Sequence, residues 1–168
     1  KFGKALISVQ ADSEKLLNPL SLYLREHLAD SNSFEAEISL QLKKILSPIP
    51  TYARLALRYY GVKIFYLSGW KYFTDFRSYI SLAPGGKKAV GFISEETLEE
   101  SGVHFFTHTF FTLCLFEMLR HLGVFFLHSA GLISPHKSGK NCYLFPASGG
   151  QGKSTLAIYL IQQGYKYL

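Results

Sequence analysis

The sequence predicts an α/β protein: a mixed sheet with one or two helices over residues 1–100, then a strand, a glycine loop and a helix. Three observations carry that class. Phe34, Ala36, Ile38, Leu40 and Leu42 alternate with Glu35, Glu37, Ser39 and Gln41, a period of two that fits a half-buried strand. Val62 to Leu67 has the β-branched and aromatic content of a strand. Finally, the glycine-rich stretch Ala147 to Thr155 stands between an apolar strand-like run, Cys142 to Phe145, and a helical run, Leu156 to Ile161, ending near Gly164.

In chain order, Lys4 to Val9 reads as a first strand. Asn18 and Pro19 read as N-cap and first residue of a helix running through Leu20, Leu24 and Leu28 to about Ala29. Asp30 to Ser33 is a turn, and Pro48 and Pro50 end the alternating strand. Tyr52 to Tyr60 is ambiguous between helix and strand. Tyr72, Phe76, Tyr79 and Leu82 fall in further strand-like runs, Pro84-Gly85-Gly86 is a turn, and Ala89 to Ile93 is a return strand. Ser94 to Glu100 is acidic: a metal or base site on one reading, a solvated helix start or linker on the other. Phe105 to Leu122 reads as a strongly apolar helix with Gly123 just past its end. Val124 to Ser134 is predicted as a strand containing His128. The polar connection 135–141 and Cys142 to Phe145 complete a β-hairpin that feeds the glycine loop.

The totals narrow the function classes. The 168 residues are 48% hydrophobic, with 14 Phe and 11 Tyr, enough for a sizeable core. The net charge of +6 suits an anionic ligand or an acidic partner. Its cations are scattered rather than clustered, so no nucleic-acid partner is expected. The two cysteines, Cys114 and Cys142, form no metal or disulfide pattern, and a reduced, cytoplasmic setting is expected. Val103 to Leu127 is the longest apolar region; its polar residues and Gly123 predict a buried helix and strand, not a membrane span. The chain stops within the strand beginning at Tyr165, so a fragment of a longer protein is expected.

Ala147-Ser148-Gly149-Gly150-Gln151-Gly152-Lys153-Ser154-Thr155 has the spacing of a phosphate-binding P-loop. Gly149, Gly150 and Gly152 allow backbone angles that a Cβ would oppose, so that successive N–H groups can converge on an anion. Lys153 would reach the β- and γ-phosphates of ATP. Ser154 would bind Mg²⁺ through its hydroxyl, and the following helix would direct its positive end at the phosphates. Ser148, Gly149, Gly150, Gln151, Gly152, Lys153, Ser154 and Thr155 are therefore the candidate nucleotide site. The alternative is a flexible glycine turn. Ala147 departs from the strict pattern, which has glycine there. Elsewhere, His104 and His108 are four apart and could share a metal, but no third ligand lies nearby in the sequence. Glu117 and His121 share that spacing and read as a helical i,i+4 pair.

Phe126 to Leu132, the hairpin and the loop through Ala157 together resemble HPr kinase/phosphorylase and related proteins. The resemblance covers Phe105 to Leu168. It implies a nucleotide core like that of phosphoenolpyruvate carboxykinase, here truncated. It implies ATP and Mg²⁺ as cofactors, with phosphoryl transfer to a serine of a protein or peptide partner. By the same resemblance His128 lies near the reacting phosphate, as a catalytic residue. The family's acidic pair follows the strand after the loop helix, beyond Leu168, so the 168 residues alone are expected to transfer nothing. Residues 101–168 would begin the nucleotide-binding domain, and residues 1–100, without an assignable motif, would form an N-terminal α+β domain. A homo-oligomer is compatible with this reading. A nucleotide-binding regulator or ATPase, a peptide-interaction module with a vestigial loop, and a metabolic carboxykinase are the alternatives.

Overall fold

A computed structural model describes residues 1–43, 49–127, 129–135 and 141–168. They form two compact units, Lys1–Phe125 and Phe126–Leu168. The division falls at Phe125/Phe126 and not near residue 100, because the long apolar helix packs into the core of the first unit.

The first unit is built on a seven-stranded mixed sheet of order β1-β2-β7-β6-β5-β4-β3. Its strands are β1 (Ile7–Ala11), β2 (Ala36–Leu42), β3 (Arg54–Tyr59), β4 (Val62–Leu67), β5 (Trp70–Thr74), β6 (Tyr79–Leu82) and β7 (Lys88–Ile93). The pairs β1–β2 and β2–β7 are parallel, and the remaining pairs are antiparallel. The alternation takes its expected form from Ala36 to Gln41: Ala36, Ile38 and Leu40 are buried while Glu37, Ser39 and Gln41 lie between them on the other face; Phe34, 50% exposed, lies before the strand. The register carries the core across the sheet, with Leu40, Gly91, Ile80, Phe73 and Ile64 opposite one another in turn. The ambiguous stretch at 52–60 contains a strand, β3. Pro48 lies outside the described residues. Phe76, expected in a strand, instead sits in the β5–β6 turn at φ 72°. Asp75 Oδ1 makes that turn by accepting from the N–H groups of Arg77 (3.0 Å) and Ser78 (2.7 Å).

Helix α1 (Glu14–Tyr23) corrects the expected Asn18 cap. Ser13 caps instead, its hydroxyl accepting from Lys15 N–H at 3.2 Å, and this puts Leu16 and Leu20 on the buried side. Pro19 therefore lies inside the helix. A 3₁₀ turn at Arg25–His27 replaces the predicted last turns. The acidic stretch forms α2 (Glu95–Glu100), and Ser94 caps it by accepting from Thr97 N–H at 3.1 Å. Thr97 Oγ1 in turn donates to Asp75 Oδ2 at 2.7 Å, tying the helix start to the β5–β6 turn. Glu95 pairs with Lys15 at 2.6 Å. Both contacts give the acidic segment a structural role as a helix start.

The apolar helix runs as α3 (Gly102–Phe105), a π-helical stretch (Phe106–Phe111) and α4 (Thr112–His121). The wider π turn lets the neighbours Phe110 and Phe111 both be fully buried together with Phe106. By length and composition Gly102–His121 is apolar enough to cross a membrane, and 50% of its most apolar window is buried inside the unit. Gly123, at φ 76°, ends it as expected, with Val124 N–H closing on the Leu119 carbonyl at 2.9 Å. That closure uses Val124 in the cap, so the predicted strand does not begin there.

The second unit is a three-stranded antiparallel sheet of order β10-β8-β9 with one helix. Its elements are β8 (Ser129–Ile133), β9 (Cys142–Pro146), α5 (Lys153–Gln162) and β10 (Lys166–Tyr167). The predicted hairpin is present, with Ser129 opposite Pro146 and Ile133 opposite Cys142. Its core is small: Ala130, Leu132 and Ala157, with Phe145, Leu160 and Tyr165 packed around them.

Candidate phosphate-binding site

The candidate site is the connection from β9 to α5. β9 ends at Pro146, which cannot donate to a sheet ladder, and the chain leaves the sheet there. Gly150 and Gly152 both adopt φ 75°, in the left-handed region where a side chain is strained. Ala147 is not among the left-handed residues, so alanine in place of the pattern's glycine meets no left-handed backbone strain there. Helix α5 starts at Lys153, with Gly152 as N-cap and no side-chain capping bond. Leu156 N–H closes the first turn on the Gly152 carbonyl at 2.9 Å.

Lys153 is the centre of the arrangement. Its ammonium donates to the carbonyls of Ala147 (2.8 Å) and Ser148 (2.7 Å), so the loop curls back over its own lysine. An ammonium has three donors, and these two bonds leave a third for an anion. The amides of Gly149, Gly150 and Gly152 donate to no protein group among the described residues. Space around these glycines is open: a Cβ at any of the three would meet no atom within 4 Å. Ser154 and Thr155 are exposed in the first helical turn, as are Ser148 and Gln151 in the loop, while Lys153 is half-buried. Unmatched amide donors at an uncapped helix start, beside a lysine and an exposed hydroxyl, fit a magnesium-bound polyphosphate.

All eight sequence-predicted nucleotide-site residues thus fall on one loop and helix start. His128 lies outside the described residues. His104 and His108 stack with ring centroids 4.0 Å apart and planes 4° apart, and His108 Nδ1 meets Thr107 Oγ1 at 2.8 Å. Parallel planes direct the ring nitrogens side by side and not toward one point, and no metal-holding group of three occurs among the described residues.

A signal in the sequence strengthens the site beyond the motif itself. Residues 126–168 contain four lysines, Lys137, Lys140, Lys153 and Lys166, and no Asp or Glu. The whole-chain charge conceals this, because the acids are confined to the first unit. These residues present an anion with no acidic side chain of their own.

Glu117 is a heavily engaged carboxylate. It pairs with Lys71, accepts from Arg120 through both oxygens (2.6 and 3.2 Å), and lies 3.3 Å from His121. Burial on its own would raise the Glu117 carboxyl; the bonds from Arg120 and Lys71 outweigh it and hold the group below its ordinary range. The expected Glu117–His121 pair is therefore one edge of a larger cluster. Burial pushes the Cys114 thiol upward, while Cys142 is exposed; both are free.

Comparison with protein-family models, with curated proteins and with solved structures finds no match to this chain.

Proposed function

We propose that the loop Ser148–Thr155 binds the phosphates of Mg-ATP, and that the chain carries the nucleotide-binding part of a serine kinase of the HPr-kinase-related type. The proposal includes a phosphoenolpyruvate-carboxykinase-like core around the hairpin, loop and α5. The supporting observation is the loop closed over its own lysine, with the Lys153 ammonium against two loop carbonyls and glycine amides free beside it. When bound, Mg-ATP would supply a transferable phosphoryl group with part of its charge neutralised. Lys153 would hold phosphate oxygens, the amides of Gly149, Gly150 and Gly152 would donate to others, and the Ser154 hydroxyl would face the metal. His128 keeps its proposed place near the reacting phosphate from the resemblance alone.

The kinase step also needs a group to accept the proton of the attacking serine hydroxyl. In a second reading, a nucleotide-binding regulator or ATPase, this unit binds nucleotide without transferring its phosphate to a protein.

Calorimetric titration of the full chain with ATP and with adenosine, beside Lys153→Ala, tests the binding claim. The substitution should weaken ATP by about tenfold or more and leave adenosine unchanged, because the ammonium contacts phosphate and not base. Equal losses for both ligands would remove Lys153 from the phosphate site. Incubation with γ-labelled ATP and serine peptides separates the readings: label on the peptide means kinase, label in free phosphate means ATPase, and label retained on ATP means binding alone.

A further inference from the structure

Strand β3 ends the seven-stranded sheet, and all six of its residues are exposed. Its inner edge pairs with β4, and no strand covers its outer edge among the described residues. The helical layer does not reach it either: Leu57 and Tyr59 share a face with Ile64 and Val62, yet are 50% and 47% exposed. Such an edge offers a row of backbone donors and acceptors to an incoming strand.

The side chains say what kind of strand fits. A register shift at Ala56, between Leu55 and Leu57, re-aims the strand. Arg54 and Leu57 stand opposite Tyr66 and Ile64 on the helix face, while Leu55 and Arg58 stand opposite Phe65 and Lys63 on the other. Each face of the edge therefore presents one arginine and one leucine. Without the bulge, both arginines would share a face. Neither arginine forms an ion pair among the described residues. Residues 51–74 contain Arg54, Arg58, Lys63 and Lys71 and no acid.

We propose that β3 is a docking edge for an extended segment of a partner protein, which adds an eighth strand in the order acid, apolar, apolar, acid. The acids would meet Arg54 and Arg58 on opposite faces, the apolar residues would cover Leu55 and Leu57, and main-chain bonds would supply the common term. A second copy of this chain fits poorly, because its own β3 brings the same two arginines and no acid to meet them. The inference is independent of the nucleotide reading, since it concerns the first unit alone.

The test is fluorescence anisotropy with the full chain and a labelled peptide, Thr-Glu-Val-Val-Glu-Thr, against its counterpart with lysines in place of the glutamates. The glutamate peptide should bind at least about tenfold more tightly, and added salt should weaken it. The double variant R54E/R58E should reverse the preference. Both positions are exposed, and an unchanged melting curve confirms that the variant folds. Peptide binding should also slow amide exchange at Leu55 to Arg58. Failure of the glutamate peptide to bind, equal binding of both peptides, or an unchanged preference in the variant would overturn the proposal. So would tighter binding of labelled oligothymidylate that the variant loses, which would make this a nucleic-acid surface, or a dimer that the variant dissociates, which would make it a self-interface.

Discussion

Ser154 and Glu117 contribute in different ways. Ser154 offers an exposed hydroxyl in the first turn of α5, next to Lys153. Ser154→Ala should reduce the gain in ATP affinity on adding Mg²⁺, read by titration with and without the metal; an unchanged gain would mean that the hydroxyl is no metal ligand. Glu117 has a structural role. Its side chain is 20% exposed and joins α4 to Lys71 of β5. Glu117→Gln leaves the half-buried Lys71 without its counter-charge and should lower stability at pH 7 by about 1–3 kcal/mol, measured by denaturant unfolding. Because the folded carboxyl is held below its unfolded value of about 4.3, its stabilisation is full above that value and is lost as pH falls through the folded one. The wild-type chain should accordingly lose more stability than the Gln variant on acidification below about pH 4.

At the scale of elements, α1 shows how a local signal can mislead. Asn18-Pro19 has the composition of a helix start, yet Ser13 caps and Pro19 is left in the interior. Proline has no N–H for the carbonyl of Lys15 one turn earlier. Pro19→Ala should therefore raise stability by about 1–3 kcal/mol in a thermal or denaturant melt; a neutral or destabilising result would show that the ring's packing outweighs the missing bond. Much else was legible from spacing alone. The alternation at 34–42 needed only a period of two, β4 matched its predicted bounds, and the strand–loop–helix followed from glycine placement and its apolar flanks. What was not legible depended on contacts distant in sequence. No local pattern reveals that Thr97 bonds Asp75, that Glu117 meets Lys71, or that a π turn will bury two adjacent phenylalanines. The bulge that splits Arg54 from Arg58 is equally invisible, because it is defined only by the partner strand.

Over the whole molecule, the two units differ in kind. The first has an extended core shared by its sheet and helices. The second buries little: α5 contributes Ala157 while Leu156, Ile158, Tyr159 and Ile161 remain exposed. Amides of the second unit should therefore exchange readily in the free chain, because few buried contacts oppose local opening. A ligand that binds the closed loop would change this by mass action: at 100 times its dissociation constant it adds about 2.7 kcal/mol, about a hundredfold slowing of the openings it opposes. Hydrogen exchange read by mass spectrometry, with and without saturating Mg-ATP, thus shows whether residues 148–155 form the phosphate site. Exchange should slow at Ser148 to Leu156 and change little in the first unit. Protection confined to the first unit, or no protection anywhere at saturating Mg-ATP, would contradict that assignment.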